Sequence, residues 1–108
     1  MKINHTILDT AKKKAMQSNC RYKISALGFS RKNELIDSAM NQHRWDGKGK
    51  GVHAEMILMK RNPLALRSII ICRVNQKGEF LPIDPCSKCA EKAKELGIKI
   101  YTIRGQDE

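Results

Sequence analysis

The sequence predicts an α/β fold, a mixed sheet of at least four strands with helices on both faces. Two observations predict it. Helical and extended patterns follow one another in the order α–β–β–α–β–α–β. A short apolar run, Ile69, Ile70, Ile71, Cys72 and Val74, reads as a strand buried on both faces, which fits a sheet covered on each side.

Each element has its own warrant. Ile3–Ser18 places Ile3, Ile7, Leu8, Ala11, Ala15 and Met16 on one helical face, with lysines on the other, and Asn19 and Cys20 end it. Tyr22–Phe29 and Glu34–Met40 are β-compatible and flank the polar turn Ser30–Asn33, a β-hairpin. Asn41–Gly51 carries Gly47, Gly49 and Gly51 with Arg44, Lys48 and Lys50, the composition of a loop. Val52–Arg61 is a short helix stopped by Asn62-Pro63. Ser68–Val74 is the buried strand, and Asn75–Gly78 a turn. Pro82 and Pro85 keep the next segment extended or looped. Cys86–Leu96 is a helix with Pro85 at its first turn and Gly97 at its C-cap. Ile98–Ile103 is the last strand, and strand–helix–strand alternation in this half implies parallel pairing.

Residues 1–108 are expected to form a single domain, since a chain of 108 residues supports one core and not two. Hydrophobic residues make up 41% and charged residues 30%, a globular composition without the run of ~20 apolar residues that a membrane helix requires. No secretory hydrophobic region opens the chain, so an intracellular, cytoplasmic setting is expected. In that setting the four cysteines, Cys20, Cys72, Cys86 and Cys89, favour metal or catalytic use over disulfides. The net charge of +10 attracts phosphate-bearing partners, free nucleotides and nucleic acids alike, or simply keeps the protein in solution.

Two short patterns carry chemistry. His53-Ala54-Glu55 and Pro85-Cys86-Ser87-Lys88-Cys89 each open a helix. Alone, the first reads equally as a capping histidine beside a solvated glutamate, and the second as a redox pair, half a zinc ribbon or two core thiols. Together they match the zinc-deaminase signature. Two helix N-termini at one sheet edge can aim three ligands at one point. Zinc takes nitrogen and thiolate donors, and three protein ligands leave one position for water, as a catalytic site needs. Zinc lowers the pKa of that water toward ~7. Glu55 sits at the offset for moving protons, first as base and then as acid.

These motifs resemble the cytidine-deaminase superfamily, and within it most closely the deoxycytidylate deaminases. Val52-His53-Ala54-Glu55-Met56 is similar to the first motif. Pro85–Ala90, followed by Gly97-Ile98-Lys99 and Tyr101, is similar to the second. Ser18-Asn19-Cys20-Arg21 resembles the segment before that family's first strand. The resemblance implies a three-layer α/β/α fold and one catalytic zinc ion held by His53, Cys86 and Cys89. It also implies Glu55 as the proton shuttle, Asn41 as a sugar contact and the Ala54 backbone as a base contact. Histidine as first ligand argues against the free-cytidine branch. Met56-Ile57-Leu58 stands where the family commonly has Asn-Ala-Ile. The chain stops one strand past the second motif, C-terminally short, so a homo-oligomer could supply pocket walls.

The expected function is zinc-dependent hydrolytic deamination of a nucleobase, cytosine of a free nucleotide such as dCMP leading. A deaminase acting on single-stranded DNA, RNA or tRNA is the alternative that the charge favours. A non-catalytic zinc module for nucleic acid is the alternative of another class, and it requires a fourth protein ligand, Cys20, Cys72, His5 or His43. Cys72 reads first as a core residue. Trp45 reads equally as a base-stacking platform or a hydrophobic plug.

Overall fold

The computed structural model describes residues 3–42 and 53–103. The Arg44–Lys50 loop with Trp45, His43, Val52 and the C-terminal tail lie outside the described residues. The elements are α1 (His5–Met16), β1 (Lys23–Phe29), β2 (Leu35–Met40), α2 (Ala54–Arg61), β3 (Ser68–Val74), β4 (Phe80–Leu81), α3 (Ser87–Leu96) and β5 (Lys99–Thr102).

Helix α1 starts where Asn4 Oδ1 accepts the Ile7 N–H at 2.9 Å, satisfying one free donor of the first turn. Lys13 and Lys14 stand in its last turn, where the helix dipole favours cations. It stops at Met16, two residues short of the expected end. Ser18 is drawn instead to Asn41, to whose Oδ1 its hydroxyl donates at 2.7 Å. The hairpin β1–β2 turns through Ser30–Glu34. Ser30 Oγ accepts the N–H groups of Lys32 and Glu34, and Asn33 adopts the left-handed φ of 62°. Short polar residues tolerate that conformation best after glycine.

Strand β3 is the spine of the sheet. Along one edge it pairs antiparallel with β1, from Lys23↔Val74 to Phe29↔Ser68. Its other edge is shared by β5, parallel over Ser68–Ile71, and β4, antiparallel at Arg73 and Val74. β2 closes the far side of β1. Among the described residues the mixed sheet therefore has five strands, and the parallel pair β3–β5 joined through α3 is the one the alternation implies. β4 is the element the sequence reading left undivided. Two residues between a turn and Pro82 are too short to show a period.

Alternation along the strands sorts side chains into two cores. Leu27, Phe29, Ile70, Cys72 and Val74 pack under α1 with Ala11 and Ala15. Ala26, Ile69 and Ile71 pack on the opposite face with Ala54, Leu58 and Met59 of α2, and Cys89 and Ala93 of α3. Helices thus cover both faces, giving three α/β/α layers. Small residues on the contacting helix faces allow close approach. Gly28 does the same from the sheet, because a Cβ there meets Leu66 Cδ2 at 2.5 Å. Leu66 is fully buried, so its side chain must shift within the core to admit the methyl group. Gly28→Ala is therefore expected to cost about 1–3 kcal/mol through overpacking. Urea unfolding measures it, and an unchanged midpoint would contradict the packing.

The topology brings the chemistry to one end of the sheet. β3 runs toward Val74, and α2 and α3 both run back against it, so their N-termini lie at the C-terminal end of β3. The start of β1 and the end of β2, antiparallel to one another, reach the same end. Open α/β sheets place ligands outside the carboxyl ends of their strands. Among the described residues no helix is long and apolar enough to cross a membrane.

Candidate metal centre

His53 is the N-cap of α2, with extended backbone (φ −74°, ψ 139°) and no capping hydrogen bond from its side chain. The capping role left open by the sequence is thus not the one it takes. Its ring crosses instead to α3, where Nδ1 lies 3.2 Å from Cys86 Sγ and 3.5 Å from Cys89 Sγ. Cys86 is itself the N-cap of α3 and not its first helical residue. Its backbone is extended, its Sγ accepts the Cys89 N–H at 3.4 Å, and Pro85 stands one position before the cap. The cap geometry turns the Cys86 sulfur back over the first turn, toward the sulfur of Cys89. An N-terminal helix dipole and a free N–H both favour thiolate there.

The three ligand atoms lie within 4.8 Å of one another, and among the described residues His53, Cys86 and Cys89 are the group so placed. A tetrahedral zinc with bonds of about 2.3 Å to sulfur and 2.0–2.1 Å to nitrogen sets N···S at about 3.5 Å. The observed 3.2 and 3.5 Å match that spacing, so the donor set fits the ion in chemistry and in size. Burial pushes the Cys89 thiol up, and the neighbouring Cys86 and the Glu55 carboxylate push it further. A site that gathers two thiols and a carboxylate is one that a divalent cation relieves.

Glu55 is in the first turn of α2 and only 4% exposed. Its carboxylate is close enough to Cys89 to push that thiol's pKa up, yet it is not among the converging donors. A buried carboxylate beside three converging donors but outside their set is chemically able to exchange protons there. Ala54, between His53 and Glu55, is fully buried at the same helix start.

Asn41 ends β2 and ties this end of the molecule together. Its Oδ1 accepts from Ser18 Oγ at 2.7 Å and from the Ile24 N–H at 3.0 Å, and its Nδ2 donates to the Tyr22 carbonyl at 2.6 Å. Asn41→Ala should lower stability by about 0.5–1.5 kcal/mol, because Ser18 and the Ile24 N–H lose a half-buried partner. Chemical denaturation measures the loss, and full stability in the variant would show that the network is dispensable.

Among the described residues, no fourth ligand of the kind a closed structural site requires joins His53, Cys86 and Cys89. Cys72 is fully buried on the α1 face, with Sγ 3.2 Å from Ser25 Oγ, and burial raises its pKa. Cys20 is buried beside Asn19, and His5 is exposed at the start of α1. His43 lies outside the described residues. Arg73 is the one charged residue in the run Ser68–Val74, and alternation puts it on the face of Ile69 and Ile71. That is the face of the metal donors.

No family model matches the sequence, and no curated protein matches it. Solved structures do. The cytidine deaminase from Mycobacterium leprae superposes with a TM-score of 0.66 at 19% identity, over 94% of this chain and 89% of that one. The cytidine deaminase from Mycobacterium tuberculosis gives a TM-score of 0.63 at 15% identity, over 92% and 85%. With identities this low the likeness is one of fold, and the chain has the three-layer α/β/α cytidine-deaminase-like fold.

Proposed function

We propose that the protein is a zinc-dependent deaminase that hydrolyses the exocyclic amine of a nucleobase, with cytosine of a free nucleotide such as dCMP as the leading substrate. The observation that carries the reading is the three-donor cluster of His53, Cys86 and Cys89 with buried Glu55 beside it. The fold shared with proteins named cytidine deaminases supports the choice of base.

In this reading His53 Nδ1, Cys86 Sγ and Cys89 Sγ hold the ion. Bound zinc supplies a Lewis acid that lowers the pKa of water to about 7 and makes hydroxide available at neutral pH. Glu55 does the proton work. It takes a proton from the attacking water and passes it to the ring nitrogen, so that the amine-bearing carbon accepts the oxygen. It then takes the proton of the newly added hydroxyl and delivers it to the departing amine, which leaves as ammonia, and the base keeps a carbonyl. Water and cytosine in, uracil and ammonia out, with Glu55 restored. The Ala54 backbone at the start of α2 contacts the base. Asn41 contacts the sugar through its amide, which carries two N–H donors and uses one for Tyr22.

The test is ammonia release from dCMP, deoxycytidine, cytidine, dAMP, dGMP and a mixed single-stranded oligonucleotide, side by side with zinc-loaded protein. Turnover of dCMP above the others is the expected result. Turnover of the oligonucleotide alone would move the substrate to nucleic acid, which the +10 charge also attracts. No turnover of any of them would end the reading.

A further inference from the structure

Next to the metal donors, at the same end and on the same face of the sheet, a cavity of about 340 Å³ opens between the start of β1 and the segment leading into Cys86. It is lined by Tyr22, Ile24, Arg73, Pro82, Ile83 and Asp84. Its size is at the lower end of the range of small-molecule sites. One wall, Pro82–Asp84, runs directly into Pro85-Cys86. Another, Ile24, pairs with Arg73 across the β1–β3 ladder and donates its N–H to Asn41.

Arg73 is unusual within this cavity. Its guanidinium stacks over the Tyr22 ring at 4.3 Å from the centroid, which fixes its plane. Its Nε–H is buried without a hydrogen-bond partner. A buried donor left unpaired is costly, and a guanidinium in a partly apolar cavity is the residue type that a phosphate completes, through two parallel N–H···O bonds. Asp84, on the same wall, is engaged in an interaction of its own.

We infer that this cavity is the phosphate subsite of the substrate, with Arg73 gripping the anion while the base reaches the metal donors. The inference rests on the deaminase reading of the adjoining centre. It makes Arg73 the residue that selects a nucleotide over a nucleoside.

The test measures binding of dCMP, deoxycytidine and inorganic phosphate by calorimetry, and turnover of the first two, in wild type, Arg73→Met and Arg73→Lys. Methionine keeps an apolar stem against Tyr22 and removes the charge. Zinc content and thermal melting verify that each variant is folded. Wild type should bind dCMP about 10- to 100-fold more tightly than deoxycytidine, the range for a charge-assisted bidentate contact. Inorganic phosphate should compete with dCMP. In Arg73→Met the preference should fall close to one through a rise in KM for dCMP, with deoxycytidine binding unchanged, and Arg73→Lys should recover part of it. A preference that survives in Arg73→Met, or is missing in wild type, overturns the subsite. Equal turnover of both compounds leaves the deaminase standing and removes the subsite. An Arg73-dependent preference in binding with no turnover does the reverse. An oligonucleotide that binds more tightly than dCMP, and loses that advantage in Arg73→Met, keeps the subsite and assigns its phosphate to a strand.

Discussion

Glu55→Gln is expected to lower kcat by a factor of about 10²–10⁴ while leaving the metal bound, because an amide cannot take and return a proton. Glutamine preserves the shape of the side chain in a place only 4% exposed, so the fold should be kept. The effect should fall on kcat more than on KM, since proton transfer is a demand of the transition state and not of binding. Glu55 is not one of the converging donors, so zinc stoichiometry should be unchanged. Steady-state kinetics together with metal analysis of the same sample separates the two roles. Loss of zinc in Glu55→Gln would make the residue a ligand, and undiminished turnover would remove it from the reaction.

Cys89→Ala should remove metal and activity together. Cys89 is 1% exposed, its sulfur is 3.5 Å from His53 Nδ1, and it also packs in the core against α2. Losing even a group that only supports a metal ligand costs 10- to 100-fold in affinity, so deletion of a ligand should weaken zinc by at least about 100-fold. The metal-dependent part of stability should vanish with it. With free zinc a hundredfold above Kd, wild type gains about 2.7 kcal/mol over the metal-free protein. That corresponds to a rise in Tm on the order of 10 °C for a domain of this size. Melting of wild type and Cys89→Ala with zinc and with chelator measures it. A zinc-dependent shift that persists in the variant would place the metal elsewhere.

The donor cluster was legible in the sequence as two short motifs near helix starts, His53-Ala54-Glu55 and Pro85–Cys89, while the cap at Cys86 falls one residue from where its motif suggested. Gly97 takes the left-handed C-cap (φ 71°) that its place after Leu96 implied. β3 has the bounds its β-branched run gave it. What was not legible depends on contacts between distant segments. Helix α1 ends early because Ser18 is held by Asn41, a partner 23 positions away. Asn41 directly follows β2, but its links to Ser18, Ile24 and Tyr22 needed the fold. Arg73 is a single charge in an apolar strand, and only the convergence of β1, β3 and the segment before α3 shows that it faces a cavity.

The most direct test of the account is isotopic. Zinc-loaded protein is incubated with dCMP in ¹⁸O-labelled water, and the product is weighed by mass spectrometry. Hydrolytic deamination at the His53, Cys86 and Cys89 centre predicts dUMP with one ¹⁸O on the ring carbon that carried the amine, and one ammonia per dUMP. Recovery of unlabelled dCMP from protein with a full complement of zinc would contradict it.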